Sequence, residues 1–443
     1  MNILIITTYY PPDTSISAVR PYMYAKYLSK LGHSVTVLRS GEIHECAELF
    51  FEPAPEVRVI SYFGEDAPSN KIERGEIIGP RRHRKRRGLL RIAAKMYDFI
   101  KKVFLRKAIS EDPTEKMEKR LELQKKHIDE MSENMEHFDV VFSTYCELEN
   151  AYAGEYAAKK FNCKWIMDFR DPIAQGESQD IQVYNKNKKL QDHFILSANY
   201  VTAVSQDALA QMCRNLPTVN AGVLYNGYES LSGQSEEVAV LSDVLILCYT
   251  GQIYMRQMGG VQEFLRAIKL LLDKRKIKKS NIRIRLAGQN TSMITDEAKK
   301  IGITGLFEEY GYVSRTKASE IQVSSDVFLQ FSWNTVKEQG IITGKFYEGI
   351  RAQKPVLCIV SGTMPNSELY RMNEIYHYGF CYEICRENQF DALCDYIEQA
   401  YHQKMTIGTV CYEPSPQLAL DFRYDNLAKR LSNLCEELVQ ENR

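Results

Sequence analysis

Nowhere in the 443-residue chain is there an apolar run near the roughly 20 residues that a bilayer-spanning helix needs. The sequence therefore predicts no membrane span. The apolar opening "MNILIITT" is short, lacks a basic lead-in and runs into Pro11, Pro12 and Asp13, unlike a secretory leader. A cytoplasmic protein is expected. There are 11 cysteines but no Cys-x-x-Cys and no Cys/His ligand spacing, which excludes the common zinc and dithiol motifs. Several lie inside apolar runs, as Cys248 in "LILCYT" and Cys358 in "PVLCIV", where free thiols serve as small hydrophobes. Asp-x-Asp and His-Glu-x-x-His are both missing, so the usual carboxylate clamp for a divalent cation is absent and neither a metal nor another cofactor is expected. Net charge is missing too, with 57 Lys plus Arg against 57 Asp plus Glu. No overall field draws in nucleic acid, and none is expected as a partner.

What is present is alternation. The length suggests two domains of roughly 200 residues each. Residues 2–7 form a continuous branched apolar run, the segment from Ser17 to Lys30 has apolar residues at helical spacing, Gly32 stands at a C-cap position, and "SVTVL" resumes a strand. This βαβ unit implies a parallel sheet with right-handed crossovers. "VRVISYF", "FDVVFST", "KWIMDF", "YVTAVS" and "AGVLYNG" continue it, with helical segments between. The alternation restarts at "VLILCYTG" and runs through "IRIRLAG", "LFEEYGYV", "DVFLQFS" and "PVLCIVSG". The expected fold is thus α/β, with two doubly wound Rossmann-like domains facing across a cleft. They are placed at residues 1–228 and 244–415, with a linker at 229–243 and a long helix at 416–443. Ligands of such sheets bind beyond the carboxyl ends of the strands.

One segment, residues 80–107, breaks the pattern: "PRRHRKRRGLLRIAAKMYDFIKKVFLRK". Arg81, Arg82, Arg84, Lys85, Arg86 and Arg87 form a basic cluster. Arg91 and Lys95 flank an apolar helical stripe after it. That composition suits an interfacial anchor on anionic lipid and predicts a peripheral attachment to the inner face of the plasma membrane.

The chemistry-bearing residues fall at strand ends. In "YYPPDTSISA" a strand gives way to a small-residue loop in which Ser15 and Ser17 precede a helix, leaving backbone N–H groups where a ligand can approach. "WIMDFRDPI" places Arg170 and Asp171 at the same edge, and "STYCELEN" offers Glu147 and Glu149. In the second half, "YTGQIYMRQMGG" carries Arg256, and "EYGYVSRTKASEI" offers the Tyr312–Val313 peptide. In "GIITGKFYEGIRAQKPVL", Thr343 and Gly344 open a helix with Lys345 in its first turn and Glu348 one turn on. Open N–H groups, the positive end of the helix dipole and a lysine together suit a diphosphate.

These stretches resemble the retaining glycosyltransferases of the GT-B superfamily, in particular glycosyltransferase family four and its bacterial polysaccharide-assembling group. The likeness rests on "YYPPD" with "YLSKLGHSVTVL", on "DFRDPI", on "VTAVSQDALAQM" with "VLYNGYE", and on "GIITGKFYEGIRAQKPVL". It implies that Arg256, Thr343, Gly344 and Lys345 bind the donor diphosphate, Glu348 the ribose, and Tyr312 and Val313 the base. Ser15, Ser17 and Arg170 would line the donor or acceptor loop, with Glu147 and Asp171 as catalytic candidates. The implied reaction transfers a sugar from a nucleotide-diphosphate sugar to a saccharide or lipid-linked acceptor with retention and without metal, in bacterial surface polysaccharide synthesis. Two departures stand out: Gln252 where a first basic residue is usual, and Gly340 where the family has an earlier glutamate. They motivate an alternative, a non-catalytic nucleotide-sugar-binding partner subunit. A second alternative on the same fold is a hydrolysing nucleotide-sugar 2-epimerase, which has no use for the basic segment.

Overall fold

A computed structural model describes residues 1–42, 54, 56–62, 113–176, 180–229 and 243–441. The basic cluster from Arg81 to Lys95 and nearly all of the 229–243 linker lie outside the described residues. Two parallel sheets carry the fold. The first has seven strands in the order β3-β2-β1-β4-β5-β6-β7: β1 (Asn2–Thr7), β2 (Ser34–Arg39), β3 (Arg58–Ser61), β4 (Val140–Tyr145), β5 (Lys164–Phe169), β6 (Tyr200–Ala203) and β7 (Ala221–Val223). Strand order reverses at β1, which pairs with β2 on one side (Ile3 with Val35) and β4 on the other (Ile3 with Val140). Ile3 to Ile6 are wholly buried, because helices cover both faces of the sheet.

Helix α1 (Val19–Lys30) follows β1 after a single turn at Ile16–Ala18. It ends at Leu31, and Gly32 (φ +89°) makes the left-handed exit. Next come α2 (Pro113–Glu133), α3 (Leu148–Phe161), α4 (Ile181–Ser197) and α5 (Gln206–Cys213). Arg20, 1 % exposed, anchors α1 to the sheet. Its guanidinium donates to both oxygens of Asp168 (2.8 and 3.0 Å) at the end of β5 and to the carbonyls of Leu224 and Tyr225 (2.7 and 2.8 Å). Thr144 and Thr202 donate to the same carboxylate, so the buried charge is fully answered.

The second sheet has six strands in the order β10-β9-β8-β11-β12-β13: β8 (Leu245–Thr250), β9 (Ile282–Ala287), β10 (Phe307–Gly311), β11 (Val327–Trp333), β12 (Val356–Ser361) and β13 (Gly379–Glu383). Its helices are α6 (Met258–Asp273), α7 (Ser292–Lys300), α8 (Arg315–Val323), α9 (Gly344–Arg351), α10 (Glu368–Tyr376) and α11 (Phe390–Ile407). The order again reverses, here at β8.

The C-terminal stretch is helical in two pieces, α12 (Gln417–Phe422) and α13 (Tyr424–Gln440), with an extended Arg423 (ψ 134°) between them. The break exists because the chain pairs there with Tyr228: Tyr228 N–H donates to Phe422 O (2.9 Å) and Tyr424 N–H to Tyr228 O (3.1 Å). Past the break, α13 returns to the first domain and packs on α1. Tyr24 and Tyr424 meet edge to face at 5.9 Å, and the His33 ring hydrogen-bonds the Ser432 hydroxyl (2.7 Å).

Candidate functional site

On the first domain, the loops after β1, β4 and β5 converge. Arg170 donates to the Ser17 carbonyl (2.8 Å), and the Cys146 thiol lies 3.6 Å from the Ser17 hydroxyl. Arg170 and Asp171 do not pair with each other. Asp171 is solvent-exposed, yet the surrounding protein raises its carboxyl, with Arg170 pulling the other way. Ser15 is buried; its N–H donates to Asp13 (2.7 Å) and its hydroxyl has no partner among the described residues. Glu147 stands at the N-cap position of α3 and accepts from the Tyr9 hydroxyl at 2.8 Å. Glu149, two residues on, is buried against Arg120 (3.1 Å), and burial raises its carboxyl. The two glutamates thus have different tasks: Glu149 closes a buried ion pair, while Glu147 stays half-buried at the strand edge.

On the second domain, Lys345 is the centre of the site. Gly251 follows β8 with φ +156°, and a Cβ built there would lie 2.0 Å from Lys345 Cε and 3.0 Å from its Nζ. A side chain at 251 would push the lysine tip aside, so the glycine is what lets the lysine cross the carboxyl end of β8 in this position. Among the described residues Lys345 has no ion pair. Thr343 holds the N-cap position of α9 but does not cap it, since its hydroxyl is engaged with the Gln330 amide (2.8 Å). Phe346 N–H donates to the Thr343 carbonyl (3.1 Å), so the N–H groups of the exposed Gly344 and of Lys345 are the ones that remain open among the described residues, beside a cation with no ion pair.

Glu348 accepts from Gln322 Nε2 (2.8 Å) and more weakly from Thr250 (3.4 Å), both through Oε2. That leaves Oε1 without a partner among the described residues. Gln322 also donates to the Thr250 hydroxyl (2.7 Å), which fixes the carboxylate's orientation over the end of β8. Tyr312 is exposed and Val313 half-buried between β10 and α8. Arg256 is held differently: its guanidinium pairs with Glu338 and sits 5.7 Å from the Trp333 ring centroid. Its charge is already answered within the protein.

One cation in this half was not among the sequence candidates. Arg315, the first residue of α8, has no ion pair among the described residues. Burial lowers its guanidinium, then Arg351 does, with Glu348 opposing. A signal was present in the sequence, because a cation at a helix N-terminus opposes the dipole and is locally unfavourable.

No protein-family model matches the chain, and no curated protein matches it. Solved structures do share its fold, that of two facing Rossmann-like domains. An α,α-trehalose-phosphate synthase (UDP-forming) from Burkholderia xenovorans superposes with a TM-score of 0.56 at 11 % identity, over 99 % of this chain and 100 % of that one. The UDP-GlcNAc 2-epimerase of Methanocaldococcus jannaschii gives 0.53 at 12 %, over 99 % and 100 %. The N-terminal domain of trehalose-6-phosphate phosphatase from Candida albicans gives 0.57 at 10 %, over 99 % and 97 %.

Proposed function

We propose that this chain is a glycosyltransferase of the family-four type, taking a sugar from a nucleotide-diphosphate sugar to a saccharide or lipid-linked acceptor in surface polysaccharide synthesis. The observation that carries the reading is the unpaired Lys345 crossing Gly251 at the open head of α9. As the bond from the anomeric carbon to the diphosphate breaks, negative charge collects on the leaving group. The α9 N–H groups and Lys345 are already oriented toward that position, so little reorganisation is needed. Glu348 Oε1 faces ribose hydroxyls, the Tyr312–Val313 peptide borders the base, and Arg315 adds positive charge beside them. Glu147 and Asp171 stand on the acceptor side. The basic segment 80–107 would hold the enzyme on anionic lipid, close to a lipid-linked acceptor.

A second reading, a nucleotide-sugar-binding partner subunit without turnover, is favoured by one observation: Arg256, the cation proposed for the diphosphate, is neutralised by Glu338. A thermal-shift screen with UDP-, GDP- and dTDP-sugars and their free diphosphates tests the donor site, since a ligand at a hundredfold excess over its Kd stabilises by about 2.7 kcal/mol. Product analysis of the positive donor then separates the outcomes. Transfer to an added acceptor supports the transferase, and epimerised sugar without acceptor supports the epimerase. Binding without either supports the partner subunit.

A further inference from the structure

We infer that Gln211, on α5 of the first domain, is a positioning residue for the donor loop of the second. The inference rests on the donor reading of Lys345 and α9. The loop in question, residues 334–343, joins β11 to α9. Gln211 spends its whole side-chain amide on it: Nε2 donates to the carbonyls of Val336 (3.2 Å) and Lys337 (2.8 Å), and Oε1 accepts from Gln339 N–H (3.3 Å). The loop then touches α5 a second time. Gly340 has φ +72°, and a Cβ there would fall 2.2 Å from the Ser205 hydroxyl and 2.6 Å from Ala208 N, so only glycine lets the two domains approach so closely. This gives Gly340 a physical role at the position where family four carries a glutamate.

The start of α5 is also fixed from the second domain by a second element. Glu368, 3 % exposed at the start of α10, accepts from the N–H groups of Gln206 and Asp207 (both 2.9 Å) and from the Tyr225 hydroxyl (2.8 Å). Arg371 pairs with Asp207 at 2.6 Å. A helix seated this way is a rigid wall, and the loop built against it has little freedom. Inside the loop, Glu338 takes Trp333 Nε1 (2.8 Å) and Arg256, and five residues after Glu338 the chain reaches Thr343 and the head of α9. The path of residues 336–340 therefore sets where Arg256 and Lys345 stand. The donor site is complete only when the first domain is docked.

The test compares wild type with Gln211→Ala and the isosteric Gln211→Glu, which keeps one acceptor but turns carboxylate oxygen toward the two loop carbonyls. Hydrogen exchange of the ligand-free protein should rise about tenfold at the amides of residues 336–340 in both variants, as expected for losing three hydrogen bonds in Gln211→Ala and two in Gln211→Glu, with the thermal midpoint unchanged. UDP, or whichever nucleoside diphosphate wild type binds, should bind about tenfold more weakly by calorimetry. Unchanged loop exchange would overturn the inference, as would a loosened loop with wild-type affinity. If wild type binds neither UDP, GDP nor dTDP while the variants still loosen the loop, the clamp is upheld and the donor reading falls.

Discussion

At the scale of single residues, the structure separates groups that hold the fold from groups left open for chemistry, although both occur in the same short motifs. In "DFRD", Asp168 is buried under Arg20, whereas Arg170 donates to the Ser17 carbonyl and Asp171 is exposed. Arg20→Ala should cost the first domain about 3–5 kcal/mol, because it strands a buried carboxylate, and the Arg20→Met, Asp168→Leu pair should lose less. Denaturant titration of the two variants checks this, and equal losses would refute it. Lys345→Ala should leave the unfolding midpoint unchanged but weaken nucleoside-diphosphate binding by at least about tenfold, since it removes a charge-assisted contact that costs the fold nothing. Unaltered affinity by calorimetry would remove Lys345 from the site. The motif told us which residues share a strand edge; it could not tell which of two carboxylates three positions apart is capped by an arginine 148 residues away.

At the scale of elements, βαβ alternation was legible because each buried parallel strand is a short branched apolar run and each covering helix has an apolar stripe. The break at Arg423 was not legible. "LALDFRYDNLAKR" contains neither proline nor glycine, and the interruption arises only because Tyr228 pairs with that stretch of backbone. Its consequence is that α13 belongs to the packing of the first domain, with Leu427, Leu431 and Leu438 buried. At about 1.5–3 kcal/mol per buried leucine, deleting residues 423–443 removes a sum comparable to the whole stability of a domain. The truncated protein should lose its cooperative first-domain transition in a circular-dichroism melt. A melt like that of the full chain would show that α13 is dispensable.

At the scale of the whole molecule, docking of the two domains carries a charge. Burial raises the Glu368 carboxyl above its ordinary pKa of about 4.5. Around it stand Asp207, Tyr225 and Arg371, with Tyr347 of α9 and Tyr376 of its own helix nearby; these phenols are themselves pushed up and neutral. If undocking exposes the carboxyl, its pKa returns to the ordinary value, so the docked form binds the proton more tightly. Docking should then be strongest below about pH 4.5 and weaken as pH rises through the raised value. Scattering measurements of the radius of gyration from acidic to neutral pH should show gradual expansion in wild type and a flat profile in Glu368→Gln. A slope retained in the variant would assign the effect to another group.

The sequence by itself determined the two doubly wound domains, because strand burial and helix periodicity are local properties of the chain. It also marked Lys345 and Glu348, one turn apart on a short helix. Only the tertiary structure decided that Arg256 is paired with Glu338, that Lys345 has no ion pair among the described residues where it crosses Gly251, that Glu149 is buried under Arg120, and that Gln211 reaches across to residues 336–339. Each of these depends on which distant residue supplies the opposite charge or the hydrogen-bond partner, and the folded packing alone brings such partners within about 3 Å.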